Sequence, residues 1–188
     1  GYEQDSSGVH KFQVAATGAV DSAISWTTGL EVLNDGKARA KNGLLFGTDT
    51  VAGNVLDDYE EGEALMLRSS NFTFHASNNK LKYVKIGSLV TVTGLVNCIG
   101  VSGSNTFEIA LPFTVQGEIN NAHGSAACQV MTTGVNTGDT GLAIYANSNT
   151  GYARFYKSNH NSGWYALNNG DWATGDEIYF SLSYRTNS

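Results

Sequence analysis

The sequence predicts an all-β protein whose larger, C-terminal part folds as an antiparallel, jelly-roll-like β-sandwich. Three observations support this fold class. Apolar and polar residues alternate over several stretches after residue 80, clusters of Gly, Asn, Ser and Thr separate these stretches, and no window sustains a 3.6-residue apolar period. A period of two is typical of a half-buried strand, and many short strands joined by close turns are typical of sandwiches.

The alternation assigns side chains to the predicted core. The three clearest stretches are KYVKIGSLVTVTGLV, TFEIALPF and DEIYFSLSY. Alternate residues of a strand share one face, so the apolar members of each stretch are expected to point the same way. The predicted core residues are Val84, Ile86, Val90, Val92 and Val96, then Phe107, Ile109, Leu111 and Phe113, and finally Ile178, Phe180, Leu182 and Tyr184.

The N-terminal segment, residues 1–54, follows a different pattern. Short apolar pieces around Trp26, Leu30 and Leu44 are separated by NDG at 34–36 and NG at 42–43, which supply the positive φ of tight turns. These apolar residues are too thinly scattered to form a core within one chain, yet too numerous for a disordered segment. We therefore predict a β shaft intertwined from several copies around an axis. The alternative is that the segment folds back over the main domain of its own chain.

An acidic stretch separates the two parts. Five carboxylates lie within the seven residues 57–63, and no basic cluster adjoins them in the sequence. Like charges repel and stay hydrated, so residues 55–64 are interpreted as a solvated hinge between the shaft (1–54) and a β-sandwich head domain (65–188). The alternative is a structural cation, for example Ca²⁺, bound where several copies meet. Its ligands would be Asp57, Asp58, Glu60 and Glu61, and no other cofactor is predicted.

Composition and charge narrow the classes of function. The net charge is −6, and only 15% of the residues are charged. Such a chain lacks the basic surface that binds nucleic acid, and an anionic membrane would repel it. It contains no run of about 18 apolar residues, so no membrane insertion is expected. Cys98 and Cys128 fit no zinc spacing and are interpreted as buried free thiols, with a disulfide as the alternative.

Residues suited to catalysis are sparse. The four histidines form no zinc-binding pair, and neither a Gly-x-Ser-x-Gly motif nor a phosphate-binding loop occurs. Asp139, Asp171, Asp176 and Glu177 are the head carboxylates that a glycosidase could use. They lie in Gly-rich, turn-like sequence, where Asp commonly stabilises the turn itself. We therefore predict that the protein is not an enzyme.

Residues 145–172, YANSNTGYARFYKSNHNSGWYALNNGDW, interleave aromatic rings with Asn, Ser and His. A flat aromatic face can pack on the C–H surface of a sugar while amides bond its hydroxyls, and Tyr, Ser and Asn also dominate antibody binding loops. Aromatic residues also fill sandwich cores, so Phe155, Trp164 and Trp172 stay open between the two roles. The predicted receptor-binding residues are Tyr152, Tyr156, Ser158, Asn159, His160, Asn161, Trp164, Tyr165 and Asn168.

Four phrases resemble the C-terminal, distal region of bacteriophage tail fibres, the receptor-binding proteins of marine and cyanobacterial phages. They are NVLDDYEEG, LKYVKIGSLVTVTG, FEIALPF and the terminal GDEIYFSLSY, and together they span roughly residues 50–186. The chain departs from that pattern after LDDYEEG, where EALML at 63–67 replaces the usual TWTP.

The resemblance implies a homotrimeric fibre tip on the virion that attaches the phage to a glycan or protein of the host cell surface. Its partners would be two sister copies, the rest of the tail fibre and that receptor. Because the chain opens GYEQDSSG without Met, we expect it to be a piece of a longer protein. Two alternatives stay open: a structural or decoration fibre without a receptor of its own, and a tip that cleaves glycans.

Overall fold

Antiparallel β-sheets dominate the computed structural model, which describes residues 1–45, 56, 58–117, 125–126, 131–135, 141–158 and 163–187. Only short 3₁₀ helices accompany the strands in these ranges, so the predicted all-β class is confirmed. No helix of the described residues is long and apolar enough to cross a membrane. The chain divides into two units, Gly1–Asp58 and Tyr59–Ser188, with a boundary inside the predicted hinge.

The first unit is a single four-stranded sheet in chain order. Its strands are β1 (Tyr2–Gln4), β2 (His10–Ala15), β3 (Trp26–Val32) and β4 (Ala38–Ala40). The register aligns Tyr2, Phe12 and Leu30 across three strands, and these three form the apolar row. The neighbouring register position aligns Glu3, Lys11, Glu31 and Arg39 on the opposite face.

The two faces of this sheet differ in chemistry. On the charged face, Glu31 is buried beneath an ion pair with Arg39 and a second with Lys41 at 3.7 Å. On the other face, the apolar row is exposed to solvent. The described residues of this unit contribute no side chain to the buried hydrophobic cluster. A second layer over the apolar row is therefore absent within the described part of the unit.

The second unit contains two sheets. One is six-stranded and the other five-stranded, each with one strand paired off the main order. The six-stranded sheet comprises β5 (Tyr59–Leu65), β6 (Phe72–Phe74), β7 (Lys80–Ile86), β8 (Leu89–Val101), β11 (Met131–Thr133) and β15 (Glu177–Arg185). The five-stranded sheet comprises β9 (Glu108–Ala110), β10 (Ser125–Ala126), β12 (Leu142–Ala146), β13 (Tyr152–Ser158) and β14 (Trp164–Ala166).

One hydrophobic core lies between these two sheets. Phe155 of β13 packs edge-on against Phe180 of β15, with ring centroids 5.5 Å apart. Phe107 and Trp172 extend this cluster, with their ring centroids 4.6 Å apart. Such ring pairs add about 0.5–1.5 kcal/mol each to the stabilisation from apolar burial. Cys98 is a buried free thiol in this core, whereas Cys128 lies outside the described residues.

Most of the predicted core is confirmed. The alternating apolar residues of the last strand are buried, as are those from Phe107 to Leu111, and Phe113 packs against the cluster. Val90, Val92 and Val96 are also fully buried.

The prediction is wrong for Val84 and Ile86, which are 39% and 49% exposed. The prediction assumes that the alternation continues through residues 87 and 88, but a turn there reverses the chain and pairs Ile86 with Leu89. Gly87 takes a φ of +55° in this turn, a conformation that suits glycine. Directly paired residues share a face, so Val84 and Ile86 point away from the core while Val90 and Val92 point into it.

The acidic stretch also has a different secondary structure from the one predicted. Residues 59–64 belong to β5, which pairs along its full length with β7, so they are part of a sheet and not of a hinge, although their carboxylates are exposed as the charge run indicates. Strand β7 carries three lysines, and the register places Glu60 opposite Lys85 and Glu63 opposite Lys82. Opposite charges in such cross-strand positions contribute about 0.2–1 kcal/mol each. The basic partners are therefore supplied by a strand some twenty residues further along the chain.

Replacing Gly94 by Ala is expected to destabilise the second unit by about 1–3 kcal/mol. A Cβ atom at this position would lie 2.7 Å from Cζ of the buried Phe180 ring and 3.3 Å from Sδ of Met66. Urea denaturation followed by tryptophan fluorescence measures the change.

The matched control is Gly151→Ala, because a Cβ atom there would meet nothing within 4 Å. We expect its midpoint to stay at or slightly above that of the unmodified chain. Equal stability of the two variants would contradict the packing role of Gly94.

Candidate functional site

The outer surface of the five-stranded sheet gathers most of the predicted receptor-binding rings. On β13, Ala153 and Phe155 are buried in the core, so Tyr152 and Tyr156 project from the other side. Register places Trp164 opposite Ser158, and Tyr145 opposite Arg154. We call the surface formed by Tyr145, Tyr152, Tyr156 and Trp164 the aromatic face.

Trp164 is the most accessible ring of the aromatic face, with 57% of its surface exposed. It lies on β14, the last strand in its sheet. Tyr156 is half-buried and meets Tyr145 edge-on, with ring centroids 6.2 Å apart. The aromatic face therefore combines a protruding indole with two mutually supported phenol rings, which is a suitable geometry for stacking against a flat ligand.

The structure separates Phe155, Trp164 and Trp172, which the sequence leaves open between a place in the core and a place on the binding surface. Phe155 and Trp172 are buried in the core, and only Trp164 is exposed. Trp164 differs because it faces outward opposite Ser158 near the end of a hairpin, where the sheet provides no covering layer.

An ion-pair network adjoins the aromatic face. The carboxylate of Glu108 accepts hydrogen bonds from Arg154 Nε (2.9 Å) and Nη2 (2.7 Å) on Oε1, and from Arg68 Nε (2.7 Å) on Oε2. The backbone N–H of Glu108 donates to Ser69 Oγ at 2.6 Å, and that hydroxyl donates to the Glu108 carbonyl at 2.9 Å. We call the set of Arg68, Glu108 and Arg154 the Glu108 clamp.

Tyr152 joins the Glu108 clamp to the aromatic face. The Arg68 guanidinium carbon lies 4.1 Å from the Tyr152 ring centroid, and that of Arg154 lies 5.2 Å away. Both distances are within the range of cation–π attraction. The two guanidinium groups are therefore oriented by a carboxylate and by the same aromatic ring.

The charges of the clamp perturb each other's protonation. Burial alone would raise the pKa of Glu108, but the hydrogen bonds from Arg154 and Arg68 outweigh it and hold that pKa below its ordinary value of 4.5. The same carboxylate raises the pKa of Arg154, and a hydrogen bond with Tyr156 adds to this effect. Glu108 and Arg154 are consequently charged at neutral pH.

The remaining predicted binding residues do not join the aromatic face in the described structure. Asn159, His160 and Asn161 lie outside the described residues. Asn168 caps the 3₁₀ helix Asn169–Asp171, where its side-chain oxygen accepts a bond from Gly170 N at 3.0 Å. Tyr165 is exposed but alternates with Trp164, so it projects from the opposite side of β14.

The described carboxylates considered for catalysis stabilise local structure. Asp171 completes the capping box of the 3₁₀ helix and pairs with Lys157 at 2.5 Å. Asp176 accepts from Ala173 N at 2.6 Å within the turn before β15. Glu177 accepts from Asn97 Nδ2 at 2.5 Å. Asp139 lies outside the described residues.

Of the residues considered as cation ligands, Glu60 and Glu61 do not converge within one chain. Glu60 accepts from Tyr83 OH at 2.5 Å, and Glu61 accepts from Tyr59 OH at 2.9 Å. As successive residues of β5 they project to opposite faces of the sheet. Asp58 precedes that strand, and Asp57 is outside the described residues. Across the described ranges, no group of three or more His, Cys, Asp or Glu side chains is positioned to hold a metal ion.

Sequence reasoning missed the Glu108 clamp. Arg154 carried a usable signal, because it alternates with Tyr152 and Tyr156 and so shares their side of a strand. Arg68 and Glu108 are forty residues apart in the sequence and gave no local signal. They meet because Ala110 N donates to Met66 O at 3.1 Å, which aligns the chain after β5 with β9.

Comparisons with protein-family models, curated proteins and solved structures yield no match to this chain. The candidate site therefore rests on its geometry and on the resemblance of the sequence phrases.

Replacing Glu108 by Gln is expected to lower the free energy of unfolding at pH 7 by about 1–3 kcal/mol, because the two ion pairs with Arg68 and Arg154 are lost. A carboxylate with a depressed pKa stabilises the fold above its unfolded pKa, and this contribution disappears as the pH falls through the folded value. The difference between the two proteins should therefore shrink below about pH 4.5. Urea denaturation at a series of pH values measures it.

Glu63→Gln provides the control for the same chemical change. Glu63 pairs with Lys80 at 3.3 Å, and both side chains are exposed, so its loss should cost less than about 1 kcal/mol. A Glu108→Gln variant with the acid sensitivity of the unmodified chain would contradict the role assigned to the clamp.

Proposed function

We propose that this protein is the distal tip of a bacteriophage tail fibre, a homotrimeric, non-enzymatic adhesin that binds a glycan or protein of the host cell surface. The observation that carries the proposal is the aromatic face, because an exposed Trp164 beside ordered tyrosines is suited to ligand contact. Large aromatic residues are enriched where proteins bind their partners. The resemblance of the sequence phrases supplies the biological context of a fibre tip on the virion.

The aromatic face is compatible with a saccharide receptor. Its rings offer apolar surface, and Arg68, Arg154 and Glu108 add hydrogen-bonding groups beside them. The surface belongs to a sheet whose inner side packs in the main core, so its rings are held by a rigid scaffold. Preorganised rings lose little conformational freedom on binding, which favours affinity.

The first unit supports the homotrimeric part of the proposal. Its apolar row is solvent-exposed in a single chain, while the opposite face carries the ion pairs. An amphipathic sheet of this kind gains stability when copies cover one another's apolar faces, and a closed ring satisfies every copy equally. The three residues of the apolar row would then lie at the interface.

Replacing Phe12 by Lys is expected to dissociate the trimer, because a charge would be buried at the centre of the apolar row. Sedimentation velocity of the full chain measures the mass. Ala15→Lys adds the same charge to the same strand on the opposite face, and it should leave the trimer intact. A full chain that is monomeric at every concentration would overturn the trimer.

Replacing Trp164 by Ala is expected to reduce adsorption of the labelled full chain to host cells at least tenfold, because the most exposed ring of the site is lost. Flow cytometry across a panel of marine cyanobacterial strains measures adsorption. Tyr179→Ala removes an exposed ring from the other sheet of the second unit and should have little effect.

The two alternative functions give different results in the same assay. A structural fibre without a receptor would bind no strain in the panel. A glycan-cleaving tip would release reducing ends from host polysaccharide, which a colorimetric assay detects. We expect adsorption without release.

A further inference from the structure

We infer that the receptor-contacting surface of this protein selects saccharides that carry a carboxylate, such as uronic or sialic acids, and that Arg68 binds the acid group. This inference rests on the proposed adhesin function and specifies its ligand class. It follows from the charge balance of the Glu108 clamp and from the position of the clamp at one end of the aromatic face.

The clamp has more positive than negative charge. Two guanidinium groups share the single carboxylate of Glu108, which leaves a surplus of one positive charge. By register, Glu108 is the one acidic side chain that the described strands of this sheet place on the outer side. A local positive centre on a chain of net charge −6 favours an anionic ligand at that position.

Arg68 retains donors for a ligand. It contacts Glu108 through Nε, and its terminal nitrogens make no other hydrogen bond with the part of the chain that the structure describes. Arg154, by contrast, uses both Nε and Nη2 on the carboxylate. The side chain of Arg68 is 43% exposed, compared with 32% for Arg154 and 16% for Glu108. A guanidinium group presents a planar pair of donors that matches a carboxylate.

The orientation of Arg68 is fixed before any ligand arrives. Glu108 holds its Nε, and the Tyr152 ring lies 4.1 Å from its guanidinium carbon. A flexible arginine would lose side-chain entropy on binding, whereas this one has already lost most of it. Preorganisation of a surplus cation distinguishes a binding group from an ordinary surface ion pair.

The spacing indicates an oligosaccharide. Tyr152 and Ser158, the residue opposite Trp164, are six positions apart on β13, which at about 3.3 Å per residue is on the order of 20 Å. A chain of several sugars would span the rings from Trp164 to Tyr152. Its acidic unit would lie at the Tyr152 end, beside Arg68.

The test measures binding of the full chain to immobilised glycans in matched pairs. Pectate, alginate, hyaluronan and a sialylated oligosaccharide are each compared with their methyl-esterified or carboxyl-reduced forms. We expect at least one acid form to bind roughly tenfold or more tightly than its neutral partner, with a preference that weakens as salt is raised. Arg68→Gln should abolish the preference, and Arg68→Lys should restore part of it.

Controls separate this inference from the general function. Arg185→Gln removes one positive charge from an exposed position on the other sheet and should keep the preference. Trp164→Ala should weaken binding of both members of a pair. Equal binding of acid and neutral forms, lost on Trp164→Ala, overturns the acidic ligand class and leaves the adhesin standing. Failure to bind any acid form also overturns the inference, whereas failure to adsorb to cells overturns the adhesin itself.

Discussion

The ladder between β8 and β15 determines which side chains of the second unit meet the core and which meet solvent. Nine consecutive residue pairs join these strands, from Glu177 opposite Asn97 to Arg185 opposite Leu89. A slip of one residue would turn the buried face outward, so the burial of Phe180 and its neighbours fixes the register strongly. Gly94 is part of this constraint, because its missing side chain leaves room for the Phe180 ring. The opposing sheet packs on the face that this ladder sets.

The alternation of apolar residues predicts the buried face correctly wherever it lies within a single strand. The residues from Phe107 to Leu111 and from Ile178 to Tyr184 are buried as expected, because a period of two directly reports the core-facing side. The prediction for Val84 is wrong because the alternation of apolar residues continues without a break across the turn at residues 87–88. That turn changes which of the alternating residues face the core. Trp164 is among the residues that the sequence predicts to bind a receptor, but Arg68 is not, since its partner Glu108 is forty residues away and only tertiary pairing joins them.

The two units place their exposed residues in different chemical settings. The apolar row of the first unit has the Glu, Lys and Arg side chains of its sheet on the reverse face, and on its own face His10 stacks against Tyr2 with its Nδ1 2.5 Å from the Tyr2 hydroxyl. The aromatic face of the second unit is bordered by the Glu108 clamp, which supplies fixed donors and a local charge. The proposed interface between identical subunits and the proposed ligand site would therefore lie on surfaces of different chemistry.

Strand β5 lies at one edge of the six-stranded sheet, and its sequence carries Glu60, Glu61 and Glu63. An open edge presents unpaired backbone groups to which a foreign strand can add, and this is the usual start of fibrillar aggregation. If two such edges approached each other, the three carboxylates of one strand would repel the three carboxylates of the other. The acidic run about a third of the way along the sequence therefore disfavours edge-to-edge pairing of neighbouring copies through this strand.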